Sequence, residues 1–370
     1  MHIPLSKPDV RPEDIEAVSQ VLAGTQLSLG PQTSAFERTL ANTVQRRFAV
    51  AVNSGTSALH LIVRALGFGP GDEVITTPFS FIASTTCILF EKATPVFVDI
   101  DPTTLCIDPG RVEAAITPRT VAILAVDAFG HPADWHRLEQ IAAKHDLFLI
   151  EDSAESLGSQ LAGKPCGSFG HAAVFGFYPN KQITTGEGGM VVTDDEALAD
   201  QCRSMANQGR GDTRWLSHVR LGYNYRLDEM SAALGLSQLQ RLESIVASRA
   251  QVAGWYIEVL QGMREVVRPT VADNVRMSWF VFVIRLADSF DRADRDQVID
   301  ALQARGIGCR DYFQPIHLQP FIAHALQTSR GQFPITEAVS DRTLALPFYS
   351  QMTQEDIRTV VESLSAVIAR

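Results

Sequence analysis

The stretch Ala172–Thr193, AAVFGFYPNKQITTGEGGMVVT, decides how the rest of the chain is read. Ala172 to Phe177 is an apolar run of the length of a buried strand, and Met190 to Thr193 is a second one. Between them stands Lys181, just before the glycine-rich turn Thr184 to Gly189. An amine held at a strand end among apolar and aromatic neighbours loses hydration, which favours the neutral form that attacks a carbonyl. A solvated loop lysine is the plain alternative, and the flanking pattern has to decide between the two.

That pattern alternates short β-branched runs with helical spacing. The strand candidates are Phe48 to Val52, Glu73 to Thr76, Thr94 to Val98, Val121 to Val126, Leu147 to Ile150, Ala172 to Phe177 and Met190 to Thr193. Helical spacing fills the gaps at Ser57 to Leu66, Phe81 to Phe90, Pro109 to Ala115 and Trp135 to His145. This order predicts an α/β fold with an open, mostly parallel sheet covered by helices on both faces, and right-handed crossovers that gather loops at the carboxyl edge. Beyond residue 230 the pattern predicts one long helix, Met230 to Leu260, followed by a strand at Trp279 to Leu286 and helices at Asp294 to Arg305 and Gln354 to Ala369. The division expected is a large domain over residues 1–240 and a smaller α+β domain over residues 241–370.

Bulk properties narrow the function. The 370 residues carry 42 acidic against 32 basic side chains, a formal charge of -10, which argues against a general nucleic-acid or anionic-membrane surface. Cys87, Cys106, Cys166, Cys202 and Cys309 are odd in number and lack metal-ligand spacing, so free thiols in a reducing compartment are expected and no metal site. The amino terminus lacks the apolar core of a signal sequence, and every apolar run is far shorter than the roughly 20 residues of a membrane span. A cytoplasmic protein is the expectation.

Two further sites of chemistry lie at strand ends. Phe48 to Val52 runs into Asn53-Ser54-Gly55-Thr56-Ser57 and then a helix, a turn whose free backbone N–H groups and hydroxyls suit a phosphate; plain helix capping is the alternative. It lacks the terminal lysine of a Walker loop. Leu147 to Ile150 ends in Glu151-Asp152-Ser153-Ala154-Glu155, placing acids at the carboxyl edge, where Asp152 could cap a helix, bind a ribose or pair with a protonated ring nitrogen. No early Gly-x-Gly-x-x-Gly supports a dinucleotide. A phosphate turn, a strand-end acid and a strand-end lysine are together the contacts that pyridoxal 5′-phosphate needs, and Phe81, in the Phe79-Ser80-Phe81 turn, is the better candidate for a ring stacked on it, with core packing as its alternative.

At this point the chain closely resembles the sugar aminotransferases of the DegT/DnrJ/StrS family, fold type I pyridoxal phosphate enzymes. The resemblance runs through Leu27 to Pro31, Asn53 to Leu59, Thr77 to Ser84, Glu151 to Ala154, Phe177 to Lys181 with Thr184 to Gly189, Gly222 to Arg226, Pro315 to His317 and Leu346 to Tyr349. It implies that Lys181 forms the Schiff base, that Asp152 faces the ring nitrogen, and that Gly55, Thr56 and Ser57 hold the phosphate. Asn224 is implied to reach that phosphate from a second subunit, making a homodimer with composite sites. Glu187, Arg226, Tyr312 and His317 are the substrate-side candidates, with an internal ion pair as the alternative for Arg226.

The implied reaction takes an amino group from glutamate or glutamine and gives it to a keto-sugar nucleotide. Cyclitol amination within the same family and a non-catalytic cofactor-binding regulator are the competing readings. Three positions depart from the family pattern. Gly176 lacks a hydroxyl common there, Glu155 puts a carboxylate where Gln or His is usual beside the cofactor's phenolic oxygen, and Asp127 stands where His is frequent.

Overall fold

The computed structural model describes residues 2–211 and 216–369. Each apolar run before residue 194 forms a strand: β1 Phe48–Val52, β2 Glu73–Thr76, β3 Thr94–Phe97, β4 Thr120–Val126, β5 Phe148–Asp152, then the short pair β6 Gln160–Leu161 and β7 Lys164–Pro165, followed by β8 Ala172–Gly176 and β9 Gly189–Thr193. Seven of them make one sheet in the order β1-β9-β8-β5-β4-β2-β3. Its central pairs β2–β3, β2–β4, β4–β5 and β5–β8 are parallel, while β9 runs antiparallel to both β1 and β8.

Period-two alternation splits the sheet residues between two buried layers. Val50, Val52, Ala122, Leu124, Ile150 and Val174 face the helices Gly55–Ala65, Ala83–Phe90 and Glu196–Ala206. On the other face Ile123, Ala125 and Leu149 pack on Trp135, Leu138 and Ile141, and Ala49, Phe175 and Met190 on Phe36, Leu40 and Ile245. With both faces covered, polar side chains of the central strands reach solvent only at the strand ends, which is why the chemistry collects there.

The carboxyl-terminal part builds a second antiparallel sheet from β10 Val266–Val267, β12 Phe282–Leu286 and β13 Thr343–Leu346, while β11 Val275–Arg276 joins β6 and β7. Tyr256, Val298, Leu302, Val360 and Leu364 cover one side of it, and the same cluster continues into Phe79 and Phe129 beside the large sheet. Ile3 bridges Ile307, so the first residues of the chain are built into this part of the molecule. Among the described residues, no helix is long and apolar enough to cross a membrane.

The long helix expected over Met230 to Leu260 is two helices, Glu229–Leu239 and Leu242–Val259. Arg241, at the junction, leaves helical geometry and donates to the carboxylates of Asp9 and Asp14 at 2.8 and 2.7 Å. Gln238 accepts from the backbone N–H of Thr184 at 2.9 Å. Apolar periodicity runs through the break because both helices bury the same side; the polar anchors that bend the chain carry no periodic signal. The strand expected from Trp279 begins at Phe282 instead, since Trp279 is left-handed (φ 58°) and turns the chain.

Candidate active site

Lys181 is held by a loop that closes on itself. The Phe177 N–H donates to Gly188 O at 2.9 Å, Thr185 N–H to Phe177 O at 3.0 Å, and Lys181 N–H to Tyr178 O at 2.9 Å. The lysine side chain is 14% exposed, its Nζ 3.8 Å from the centre of the Phe280 ring and 3.4 Å from Glu155 Oε1. The surroundings are therefore not the wholly apolar ones that the sequence leads us to expect: Nζ meets an aromatic face and a carboxylate oxygen at once. Phe129, left-handed at φ 59°, aims its N–H at the other Glu155 oxygen at 2.8 Å. Gly130 follows at φ 93°, where a Cβ would lie 3.0 Å from Glu155 O and 3.3 Å from Phe280 N; only glycine lets these segments meet around the lysine.

Asp152 ends β5 and is 6% exposed. Burial above all, then the charges of Glu155 and Asp127, push its pKa up to about 7, against the pull of the Ala154 N–H and of Lys181. No cation of the described residues forms an ion pair with it. A buried carboxylate without a paired cation is expensive, and a protonated ring nitrogen would supply the missing charge. The residues present therefore fit the cofactor that the sequence implied.

Behind Asp152 lies a second pair of acids. Asp127 Oδ1 accepts from Ala133 N–H at 2.9 Å and Trp135 Nε1–H at 2.8 Å; Oδ2 accepts from the Ser156 hydroxyl at 2.7 Å and lies 3.1 Å from Ser153 Oγ, whose one proton has a nearer acceptor in Glu151 at 2.7 Å. Glu151 accepts from Gly167 N–H, Phe169 N–H and the Ser153 hydroxyl. Burial raises the pKa of both. Together with Cys166 their ligand atoms lie within 4.8 Å of one another, but the donors just named occupy the carboxylate lone pairs. The departure at Asp127 thus has a structural role: its carboxylate ties the end of β4 to the loop after β5.

At the other end, Ser54 caps the helix Gly55–Ala65 by accepting from Ser57 N–H at 3.0 Å, and the Ser57 hydroxyl donates to Asn53 Oδ1 at 2.7 Å. The cap does not exclude an anion, because it uses one of the helix's free donors and leaves the others at Gly55 and Thr56. Gly189 permits the turn: a Cβ there would stand 2.4 Å from the Ser54 carbonyl. Gly176 sits against Gly55, and a Cβ on Gly176 would make only ordinary contact, 3.5 Å from Ala154 Cβ, so its missing hydroxyl is not a steric necessity.

The remaining candidates divide. Phe81 is 61% exposed, whereas Phe79 is fully buried against Phe129 and Phe313, so Phe81 is the ring with a free face. Tyr312 contacts Phe129 and Phe280, and burial together with the Glu155 charge pushes its pKa up to about 12. Glu187 is exposed in the lysine loop. Arg226 donates to Asn207 Oδ1 at 3.1 Å; its partner is an amide, not an acid. Asn224 is exposed, and its backbone carbonyl accepts from Asn53 Nδ2 of the same chain at 3.4 Å. His317 has no exposed surface, and its Nε2 meets Glu337 at 3.0 Å, against the ring of Phe333; the preceding residue, Ile316, donates its N–H to Pro78 O at 2.8 Å, tying this segment to the turn that carries Phe81.

Residues 8–365 match the profile of the DegT/DnrJ/EryC1/StrS aminotransferase family. The chain belongs to that family. A GDP-perosamine synthase of Caulobacter vibrioides is 40% identical over 342 residues, 92% of this chain and 91% of the relative. A UDP-N-acetyl-3-dehydro-alpha-D-glucosamine 3-aminotransferase of Acidithiobacillus ferrooxidans is 38% identical, covering 95% of this chain and 92% of the relative. Among solved structures, S. venezuelae DesV, in complex with a ketimine intermediate, superposes with a TM-score of 0.93 at 34% identity over 100% of this chain and 99% of that one. The PLP-form of a putative sugar aminotransferase, Spr1654 of Streptococcus pneumoniae, gives a TM-score of 0.95 at 28% identity over 100% and 99%. This aminotransferase therefore has the fold type I architecture of its family.

Sequence reasoning missed four contributors to the site. Phe280 lies over the lysine Nζ, Phe129 fixes Glu155 through its N–H, Ser54 is the true cap, and Gln182 donates to Glu155 O at 2.6 Å and to Ser278 at 2.7 Å. Only Ser54 had a signal, a serine three residues before Ser57 at a helix start.

Proposed function

We propose that this aminotransferase uses pyridoxal 5′-phosphate to move an amino group from glutamate or glutamine to a keto-sugar nucleotide in amino-sugar biosynthesis. The observation that carries the reading is the buried pairing of Lys181 Nζ with Glu155, at 3.4 Å, beside an Asp152 that lacks a cation. The sugar-nucleotide half rests on the named activities of the relatives in Caulobacter and Acidithiobacillus. Bound in this site, the cofactor would supply an aldehyde carbon for capturing amines and a ring that takes up electrons.

The chain's own residues do the rest. Lys181 holds the cofactor and, when displaced by a substrate amine, is placed to take a proton from one carbon and return it to another. Asp152 holds a proton on the ring nitrogen by offering it a buried counter-charge. Gly55, Thr56 and Ser57 present N–H groups and hydroxyls to the phosphate, and Phe81 covers a ring face. Phe129, Phe280 and Tyr312 exclude water from Nζ, which strengthens each charge interaction there.

A homodimer in the cytoplasm completes the proposal, with Asn224 of the partner subunit reaching the phosphate. Its support is a row of exposed apolar side chains, Leu216, Val219 and Leu221, just before Asn224, with Tyr178 exposed near Lys181. The test is purified protein incubated with glutamate, or glutamine, and a panel of keto-sugar nucleotides, read by the mass change from carbonyl to amine. No amino sugar from any nucleotide in the panel would reject the acceptor class.

A further inference from the structure

Lys181 Nζ has two near neighbours of opposite kind, an aromatic face and a single carboxylate oxygen. Glu155 is the one acid within ion-pair distance of Nζ among the described residues, at 3.4 Å. Its side chain is as confined as the lysine: Oε2 is fixed by the Phe129 N–H at 2.8 Å, and its backbone carbonyl by Gln182 Nε2 at 2.6 Å. Gln182 directly follows the lysine, so the two partners are clamped to each other through the chain as well as through space. Oε1 is the oxygen left over, and it faces Nζ.

The other groups around the lysine cannot do the same work. Phe280 favours a cation but accepts no proton. Tyr312, from the carboxyl-terminal part, keeps its own proton up to about 12 because it is buried and faces the Glu155 charge. Asp127, from the end of β4, already accepts from two N–H groups and the Ser156 hydroxyl. Asp152, from β5, accepts from Ala154 N–H and carries the charge that the ring nitrogen requires. Tyr178, on the lysine's own segment, is exposed.

We propose that Glu155 is the counter-ion that governs the charge on Lys181, so that Oε1 and Nζ share one proton across the loop. Before Nζ can bond to carbon it gives up a proton: one N–H bond breaks, an O–H bond forms at Oε1, and the ion pair becomes a neutral amine with a free lone pair beside a neutral carboxyl group. Burial already draws Glu155 toward the protonated form, and the Lys181 charge opposes that pull, so both ends of the exchange lie within reach. The use of this exchange rests on the aminotransferase reading above. The sharing itself is a property of the chain alone.

It is therefore tested in the cofactor-free protein. Acetylation of Lys181 by a small amine-selective ester is followed across pH by peptide mass, with exposed Lys7 as the internal reference. In Glu155→Gln, whose amide oxygen can still accept from Phe129, Lys181 is expected to label about tenfold faster at neutral pH, with its profile moved to lower pH by about one unit or more. In the cofactor-loaded protein the pH titration of the visible absorbance moves the same way. Should Glu155→Gln not fold, the reciprocal measurement stands in for it: carbon-13 NMR of the glutamate carboxyls in Lys181→Met, where the Glu155 titration is expected to move up. An unchanged labelling profile in a folded Glu155→Gln protein, or an unmoved Glu155 titration in Lys181→Met, overturns the proposal. Failure to bind pyridoxal phosphate would instead overturn the functional reading and leave the shared proton standing.

Discussion

The two ends of the site are built on opposite terms. At the acid end Asp127, Glu151, Asp152 and Glu155 are all buried, and backbone N–H groups, serine hydroxyls and Lys181 fix their oxygens within one chain. At the phosphate end the turn Asn53 to Ser57 is half open, and Asn224 beside it is exposed. One end is thus rigid and overcharged, while the other is accessible and lightly held. The lesson is that this enzyme stores electrostatic cost around Asp152 and Lys181, and leaves the donors at the start of the helix Gly55–Ala65 open.

The sharpest way to break that contrast is at the lysine. Lys181→Ala is expected to lower amino transfer by about a thousandfold or more in steady-state assays, since no other amine of the acid end can take its place. Activity near the wild-type level would place the chemistry elsewhere.

Next in size is the cost stored at Asp152. Its pKa rises from 3.8 when unfolded to about 7 when folded, so the folded state binds more protons between those values, and stability falls as pH rises from about 4 to 7. The contribution lost is about 3–4 kcal/mol. Asp152→Asn should flatten that part of the slope in chemical denaturation of the cofactor-free protein. Asp127, Glu151 and Glu155, which burial shifts in the same direction, add to that slope, whereas carboxylates held low by their partners, such as Asp9, Glu91 and Glu229, oppose it. An Asp152→Asn protein with the parent's pH dependence would show that the stored cost lies with its neighbours.

Asp127→Ala leaves two N–H groups and the Ser156 hydroxyl without their acceptor, and a loss of about 3 kcal/mol is expected from urea midpoints. At the open end the effects should be smaller. Ser54→Ala removes a helix cap and is expected to cost about 1 kcal/mol, with weaker cofactor binding at the adjoining turn. If Ser54→Ala proved the more damaging of the two, the division between a rigid and a lightly held end would be wrong.

Much of the rigid end could be read from residue order. Alternation and β-branching located all seven strands of the large sheet within a residue or two, and with them the end of β5 that carries Asp152; Lys181, read as a strand-end residue, lies in the loop between β8 and β9. The direction of β9 could not be read, because a buried apolar run looks alike in either sense and only the short lysine loop dictates an antiparallel return. Nor could the pairing of Lys181 with Phe280, about a hundred residues on, or with Glu155, since both depend on left-handed turns at Phe129 and Trp279. His317 shows the converse: its motif was visible, but burial against Glu337 and Phe333 decides what the imidazole can touch.

The claim on which the rest depends is that Lys181 Nζ takes the aldehyde. Borohydride reduction of the protein loaded with pyridoxal phosphate, followed by digestion and mass mapping, tests it directly. A phosphopyridoxyl adduct on the peptide containing Lys181, and absent from Lys181→Ala, is the predicted result; an adduct confined to other lysines, or none at all, would contradict it.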